Sequence, residues 1–248
     1  MEYVEILRAR RILAWYTGLI IAGLVIEAIS YYGGQHHNHQ NGGTLPFSIL
    51  AAGAGAAALI VATLVAPGLS AEAANTTALI WTRPAPRDAI AARFIGIDVA
   101  AILIGYVIML AAMVVGFAIV GGLRILTFDP LEIVRASSLA LCGAIMWYAV
   151  ISVAASRLPG RGPLLAGLAW GVFPALAAFF HASFLPIWLH DVIYVLNIVN
   201  PVAWLGGTTP QGDSSIFPLS LWWRVFAESA IAIALAVASV RLWSTREA

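Results

Sequence analysis

Long apolar runs separated by short polar breaks dominate this chain of 248 residues. Six of the runs reach the roughly twenty residues that a helix needs to cross the hydrocarbon core of a bilayer. The predicted spans are Ile12–Tyr32, Phe47–Leu69, Ile95–Val120, Leu131–Ala155, Leu164–Leu185 and Leu221–Trp243. The pattern therefore predicts an all-α integral membrane protein with six transmembrane helices, in which residues 1–248 form a single transmembrane domain.

The break at Glu72–Arg93 is the most polar, with two acids, three arginines and two prolines in the sequence EAANTTALIWTRPAPRDAIAAR. Asn75-Thr76-Thr77 is a typical helix start and Thr82-Arg83-Pro84 a typical stop, so we expect a short helix over roughly Thr76–Trp81. The apolar side chains that this helix would expose are Leu79, Ile80 and Trp81. Such a patch is suited to docking another protein; the alternative is an interfacial helix that rests on lipid headgroups.

The N-terminal residues 1–11 (MEYVEILRARR) place Tyr3, Val4 and Leu7 along one side of a helix, followed by three arginines. This pattern is typical of an amphipathic helix that lies at the membrane interface. We therefore expect an N-terminal interfacial helix before the first span.

The segment 186–220 between the fifth and sixth spans is apolar but interrupted. Pro186 and Pro201 leave roughly fourteen residues between them, which is too few for two full helices to cross and return. We therefore expect a re-entrant or interfacial helical hairpin on the outer side, with Asn200-Pro201 at its break. The alternative is a seventh span, which the distribution of arginines opposes.

The arginines are distributed unevenly between the two sides of the predicted bundle. Ten of the thirteen basic residues fall on the side that holds both chain ends and the Glu72–Arg93 loop. These ten are Arg8, Arg10, Arg11, Arg83, Arg87, Arg93, Arg157, Arg161, Arg241 and Arg246. Because positive charge is retained in the cytoplasm, we expect both termini and this loop to be cytoplasmic, in a multi-pass protein of the inner membrane.

The composition excludes several classes of function. Only 10% of the residues are charged, compared with about a quarter in soluble domains. The chain contains no lysine, which both a nucleotide-binding P-loop and a retinal Schiff base require. The missing lysine thus argues against both of these, and any ATP hydrolysis would occur on a partner. We also expect this chain to be no enzyme and to bind no cofactor itself. A net charge of +1 argues against a nucleic-acid partner.

Several charged residues lie within the predicted spans, where they are costly and often functional. Those at a similar outer depth are Glu27, Glu132, Arg135, Arg224 and Glu228. Arg224 and Glu228 share one helical face because they are four residues apart. Two interpretations stay open for this set: ion pairs that lock the bundle, or contacts with a transported substrate. For Asp98, near the opposite side, we expect pairing or snorkelling.

A histidine-rich outer loop carries His36, His37 and His39 in the sequence HHNH. Imidazoles bind borderline metals, but no cysteine or carboxylate lies nearby to complete a site. We therefore expect a solvated loop and no metal centre. The His-Glu-x-x-His motif of metalloproteases is absent as well, which argues against that intramembrane enzyme class.

Two segments carry a resemblance to a known family. After the fifth span, LPIWLHDVIYVLNIVNPVAWL contains an LP-x-W stretch that leads to Asn200-Pro201 and an aliphatic–aromatic pair. The first polar loop contains Glu72, Thr76, Thr82-Arg83-Pro84 and Arg87 in that order. Together these segments resemble the ABC-2-type permeases of ABC transporters, and the span count and amphipathic N-terminus extend the resemblance over essentially the whole chain.

The resemblance implies a half-transporter that pairs with an identical or a sister permease around a central pathway. Each permease would bind a cytoplasmic ATP-binding subunit, which carries the ATP and Mg. The implied docking residues are Glu72, Asn75, Thr76, Leu79, Ile80, Trp81, Arg83, Arg87 and Arg8. The chain would then export an amphipathic or hydrophobic drug, peptide or lipid. The alternative is a proton-coupled secondary carrier that uses Glu27 or Glu228.

Overall fold

The computed structural model of the chain describes residues 2–33, 45–68, 87–119, 122–158, 160–182, 185–205, 216–217 and 219–245. The helices are α1 (Glu2–Gly33), α2 (Ser48–Val65), α3 (Arg87–Ile119), α4 (Pro130–Arg157), α5 (Gly162–Phe180), α6 (Ile187–Ile198), α7 (Pro201–Leu205) and α8 (Leu221–Ser244). Six of these helices, all except α6 and α7, are long and apolar enough to cross a membrane. The predicted helical, multi-pass membrane architecture is therefore confirmed.

Two helices begin earlier than the sequence led us to expect. Helix α1 continues from Glu2 to Gly33, so the expected interfacial helix and the first span form one element. No proline or glycine lies in residues 1–11 to interrupt it, which is the physical reason for the continuity. Helix α3 starts at Arg87, with Asp88 in its first turn, where a carboxylate is favourable to the helix dipole.

Helices α2 and α4 form the centre of the bundle. In each of them 61% of the apolar stretch is buried, compared with at most 22% in the other four candidate spans. The glycine- and alanine-rich sequence of α2 predicts a close helix approach, and the structure confirms it. A Cβ atom added at Gly55 would clash with Ala140 of α4, and one added at Gly105 of α3 would lie 2.7 Å from Val61 of α2. Such close approach maximises van der Waals contact between membrane helices.

Side-chain hydrogen bonds join the central helices to their neighbours. The indole nitrogens of Trp147 in α4 and Trp170 in α5 each donate to the Thr63 hydroxyl of α2 over 3.0 Å. The hydroxyls of Ser152 in α4 and Ser239 in α8 lie 2.8 Å apart. In a membrane the surrounding lipid is as apolar as the helix surfaces, so apolar burial alone does not decide which face of a helix meets its neighbour. Hydrogen bonds between helices therefore help to fix their orientation.

At each end of the bundle, segments that are distant in the chain contact each other. Strands β1 (Leu45–Pro46) and β2 (Leu126–Thr127) pair in parallel and join the segment before α2 to the segment before α4. At the other end, the Arg241 guanidinium of α8 lies 3.6 Å from the Asp88 carboxylate of α3. The end of α8 and the start of α3 therefore lie on the same side of the bundle.

The segment between α5 and α8 contains two short helices rather than a seventh span. Helix α6 has 12 residues, so it is about 18 Å long and cannot cross a bilayer core. The helix ends at Ile198, and α7 begins at Pro201 after a break that includes Asn200. The break thus occurs where the sequence predicted it; residues 206–215 lie outside the described part of the chain.

Candidate functional site

A group of polar side chains, which we call the Arg8 cluster, joins α1, α3 and α4 and consists of Glu5, Arg8, Asp98 and Tyr148. The Arg8 guanidinium donates to the Asp98 carboxylate over 3.2 Å and forms an ion pair with Glu5 one turn earlier in α1. The Tyr148 hydroxyl donates to the second Asp98 oxygen over 2.9 Å. The expectation that Asp98 is paired is therefore confirmed, and its partners are Arg8 and Tyr148.

The Arg8 cluster is shielded from solvent. Glu5 is 0% exposed, Asp98 1% and Tyr148 2%, whereas 23% of the Arg8 side chain is accessible. Two carboxylates in such surroundings need a counter-charge, because an isolated buried ion is strongly unfavourable. Arg8 supplies that charge, and Asp98 of α3 links the three helices because it bonds both to Arg8 of α1 and to Tyr148 of α4.

Arg8 also contacts the end of α2. Its guanidinium donates to the Val65 carbonyl over 2.9 Å, which satisfies one of the carbonyls that a helix end leaves without an intrahelical donor. The same group packs against Gly68, where an added Cβ atom would clash with it. A glycine at this position is therefore needed for the guanidinium to reach Val65. The cluster thus lies beside the point where the chain enters the Glu72–Arg93 loop.

Most of the predicted docking residues lie outside the described part of the chain. They are Glu72, Asn75, Thr76, Leu79, Ile80, Trp81 and Arg83. Arg87 begins α3, and nothing is described of its side chain. The short helix over Thr76–Trp81 stays a prediction, as does a docking role for Arg8, whose guanidinium contacts Glu5, Val65 and Asp98 in the structure.

A second buried polar network lies at the break between α6 and α7. The Asn200 side-chain amide donates to the Phe173 carbonyl of α5 over 2.8 Å and to the Asn197 side chain over 2.7 Å. Asn197 in turn donates to the Leu176 carbonyl over 3.2 Å. Both asparagines are 0% exposed. They bind carbonyls close to Pro174, the proline inside α5.

Asn200 also starts the following helix. Its side-chain oxygen accepts from the Val202 amide over 3.1 Å, and Pro201 occupies the first helical position, where its missing amide hydrogen is not needed. The Trp204 indole donates to the Ile198 carbonyl across the break over 3.1 Å and stacks on Phe217 with ring centroids 4.1 Å apart. The predicted Asn200-Pro201 motif therefore joins α5, α6 and α7 into one unit.

Two of the charged residues at outer depth, Glu132 and Arg224, form hydrogen bonds to neighbouring groups. Glu132 accepts a hydrogen bond from Ser48 over 2.6 Å, and the Arg224 Nε donates to the Leu219 carbonyl over 2.9 Å. The two interpretations of this set, ion pairs that lock the bundle and contacts with a transported substrate, both stay predictions.

Glu228 and Arg135 each have buried polar atoms without a hydrogen-bond partner among the described residues. Glu228 is 0% exposed, and its two carboxylate oxygens have no hydrogen-bond partner among the described residues. The Arg135 Nε atom of α4 is likewise buried without a hydrogen-bond partner among the described residues. Unsatisfied buried polar atoms are rare in folded proteins and often mark functional positions.

No metal centre emerges from the described residues, which contain no group of three or more potential ligands from His, Cys, Asp and Glu. His36, His37 and His39 lie outside them.

The sequence did not single out Glu5 or Tyr148, which complete the Arg8 cluster. The spacing of Glu5 and Arg8, one helical turn apart, was the available signal, because it puts both on one face. No family model, curated protein or solved structure matches this chain. The fold and these networks define its class, a helical multi-pass membrane protein with buried polar clusters between its helices.

Proposed function

We propose that the chain is the membrane-spanning permease subunit of an ATP-driven exporter of the ABC-2 type, with ATP and Mg bound by a separate cytoplasmic subunit. In this proposal two permease chains form the pathway in the inner membrane, with both termini in the cytoplasm. The exported substrate is an amphipathic or hydrophobic drug, peptide or lipid. The observation that carries the proposal is the Arg8 cluster, which contacts the end of α2 from which the chain continues into the Glu72–Arg93 loop.

An ATP-binding subunit that docks on this loop must transmit its movement to the transmembrane helices. The loop follows α2 and leads into α3, and Arg8 bonds to Val65 of α2 and Asp98 of α3. Tyr148 extends the same network into α4. Because buried ion pairs tolerate little separation, a push on the loop would move these helices together rather than bend them individually.

The network around Asn200 supports a corresponding role at the other side of the pathway. Its hydrogen bonds to Phe173 and Asn197 make α6 and α7 follow any displacement of α5. In the proposal these two helices form the re-entrant outer hairpin, which closes the outer end while the substrate enters from the inside. Hairpins of this kind are tolerated in a bilayer only when their backbone polar groups are satisfied.

The test is co-purification of the tagged chain with a P-loop ATPase from cells that express it at native level. Replacing Leu79 and Trp81 together by alanine should reduce the recovered ATPase by at least about tenfold, since these side chains form the predicted docking patch. Trp15→Ala is the matched control, because Trp15 is 69% exposed on α1 and far along the chain from the loop. Equal recovery with and without the loop residues would reject the docking model.

A proton-coupled carrier is the second candidate, and the buried Glu228 without a hydrogen-bond partner is the observation that favours it. A carrier of this kind would transport substrate in proteoliposomes under a proton gradient with no ATPase present. Glu228→Gln or Glu27→Gln would then abolish transport. The exporter proposal instead requires the ATPase and ATP, so gradient-driven transport by the purified chain alone would exclude it.

A further inference from the structure

A cavity of about 590 Å³ lies between α1, α2 and α3, separate from the Arg8 cluster and from the Asn200 network. Helix α1 forms one wall from Tyr16 to Glu27, so the cavity extends about 16 Å along that helix. Its size falls in the range of roughly 300–1,000 Å³ that is typical of small-molecule sites. The volume is therefore sufficient for a drug-sized organic molecule.

Small and flexible residues create this space. Gly23 of α1 has no atom within 4 Å of the position of an added Cβ, so a side chain is simply missing there. Across the cavity, Met109 and Met113 of α3 line the wall, and methionine adapts easily to ligands of different shape. At the Tyr16 end the phenol already donates to the Gly105 carbonyl over 3.4 Å. The walls thus offer mainly apolar contact.

One carboxylate breaks this apolar surface. Glu27 lines the cavity and reaches across to α3, where its Oε2 lies 3.3 Å from the Cβ position of Gly116. Among the described residues no side chain donates a hydrogen bond or forms an ion pair to Glu27. A carboxylate at membrane depth needs a cationic partner, because its charge is poorly solvated there.

We propose that this cavity is a binding site for lipophilic organic cations, with the apolar body of the ligand between α1, α2 and α3 and its positive charge beside Glu27. Charge complementarity selects this occupant over the obvious competitors. An anionic lipid headgroup would be repelled by the carboxylate, and a neutral acyl chain would gain nothing from it. That the bound cation is also an exported substrate rests on the function proposed above; its binding does not.

The experiment measures equilibrium binding of tritiated tetraphenylphosphonium, a permanently charged apolar cation, to the purified chain in lipid nanodiscs. Triphenylphosphine oxide serves as the neutral probe, and empty nanodiscs give the background. Neither ATP nor an ATPase is present, so the result is independent of the export function. Glu27→Gln should weaken the cation's Kd by at least about tenfold, or ~1.4 kcal/mol, and leave neutral binding within about twofold.

Two pairs of variants separate a site from a general effect on the bundle. Gly23→Leu should weaken binding of the cation at least about tenfold, because the new side chain enters the cavity. Gly18→Leu is its matched control, since Gly18 also has no atom within 4 Å of its Cβ position but does not line the cavity. Glu27→Asp should retain cation binding within a few fold, and Glu132→Gln, outside the cavity, should have no effect.

Unchanged affinity in Glu27→Gln would overturn the proposal. An equal loss in Gly18→Leu and Gly23→Leu would overturn it as well. Tight binding of the neutral probe that Glu27→Gln does not alter, with no preference for the cation, would instead identify the cavity as a site for lipid acyl chains and refute the cation site.

Discussion

Replacing Arg8 by methionine is the most direct test of the Arg8 cluster. The change keeps much of the apolar length of the side chain but removes the positive charge with which both Glu5 and Asp98 form ion pairs. It also removes the donor to the Val65 carbonyl. Both acids remain buried, with 0% and 1% of their surfaces exposed, so neither can turn towards water without a change in helix packing.

Removal of one partner from a buried ion pair costs about 3–5 kcal/mol. Since 23% of the Arg8 side chain is accessible, we expect the lower end, about 3 kcal/mol. For a chain of this size that loss corresponds to a fall in Tm of about 6–12 °C. Arg241→Met is the matched control, because the Arg241–Asp88 pair is 73% and 50% exposed and exposed pairs contribute at most about 1 kcal/mol.

The chain supplies its own reporter for this measurement. Cys142 is the only cysteine, and its sulfur lies 3.2 Å from the Ser229 hydroxyl between α4 and α8. A thiol-reactive fluorogenic dye added during a temperature ramp in detergent therefore follows the separation of those helices. Cys142→Ser, which leaves no thiol, gives the background signal.

A compensated variant tests the electrostatic cause itself. Combining Arg8→Met with Glu5→Gln and Asp98→Asn removes both stranded charges, and the Tyr148 hydroxyl can still donate to the amide oxygen at position 98. We expect this triple variant to recover to within about 1 kcal/mol of the natural chain. A Tm for Arg8→Met equal to that of Arg241→Met, or a triple variant no more stable than Arg8→Met, would show that the ion pairs of Arg8 do not stabilise the bundle.

Two further predictions use the same assay. Gly68→Val should lower the Tm by several degrees, because its side chain would displace the Arg8 guanidinium, whereas Gly96→Val, where a Cβ atom meets nothing within 4 Å, should leave it unchanged. Asn200→Leu should lower the free energy of unfolding by about 1–3 kcal/mol, since it leaves buried groups without their hydrogen bonds. Its control is Val199→Leu, at a position 38% exposed, which should leave the stability unchanged. Equal Tm values for the two variants of either pair would contradict the contact that the pair tests.

The sequence predicted the elements better than their orientation. Apolar runs of bilayer length identified the spanning helices, and the prolines at 186 and 201 identified the interrupted segment, because both signals are local. The inward position of Glu5 could not be predicted, since the helix face that meets the bundle depends on tertiary packing. For the same reason the sequence could not predict that Glu228 is buried whereas Glu27 is exposed.

The expected interfacial helix and the first span form one continuous helix, α1, which the local sequence did not predict. The arginines of residues 1–11 favour an interface, but they do not stop a helix, and α1 continues through them. Asp98 was expected to be paired or to snorkel because of its depth. Its partners come from α1 and α4, which are distant in the chain, so no spacing rule could have named them.

The contacts of Gly55 with Ala140 and of Gly105 with Val61 limit which substitutions these positions can tolerate during evolution. Along these seams a single added methyl group would push the helix axes apart, so sequence drift there is restricted to the smallest residues. Helix α1, of whose apolar stretch 0% is buried, carries no such restriction over most of its surface. Random mutagenesis should therefore yield few folded variants with larger residues at the α2 seams, whereas apolar residues of α1 that do not line the cavity should exchange freely.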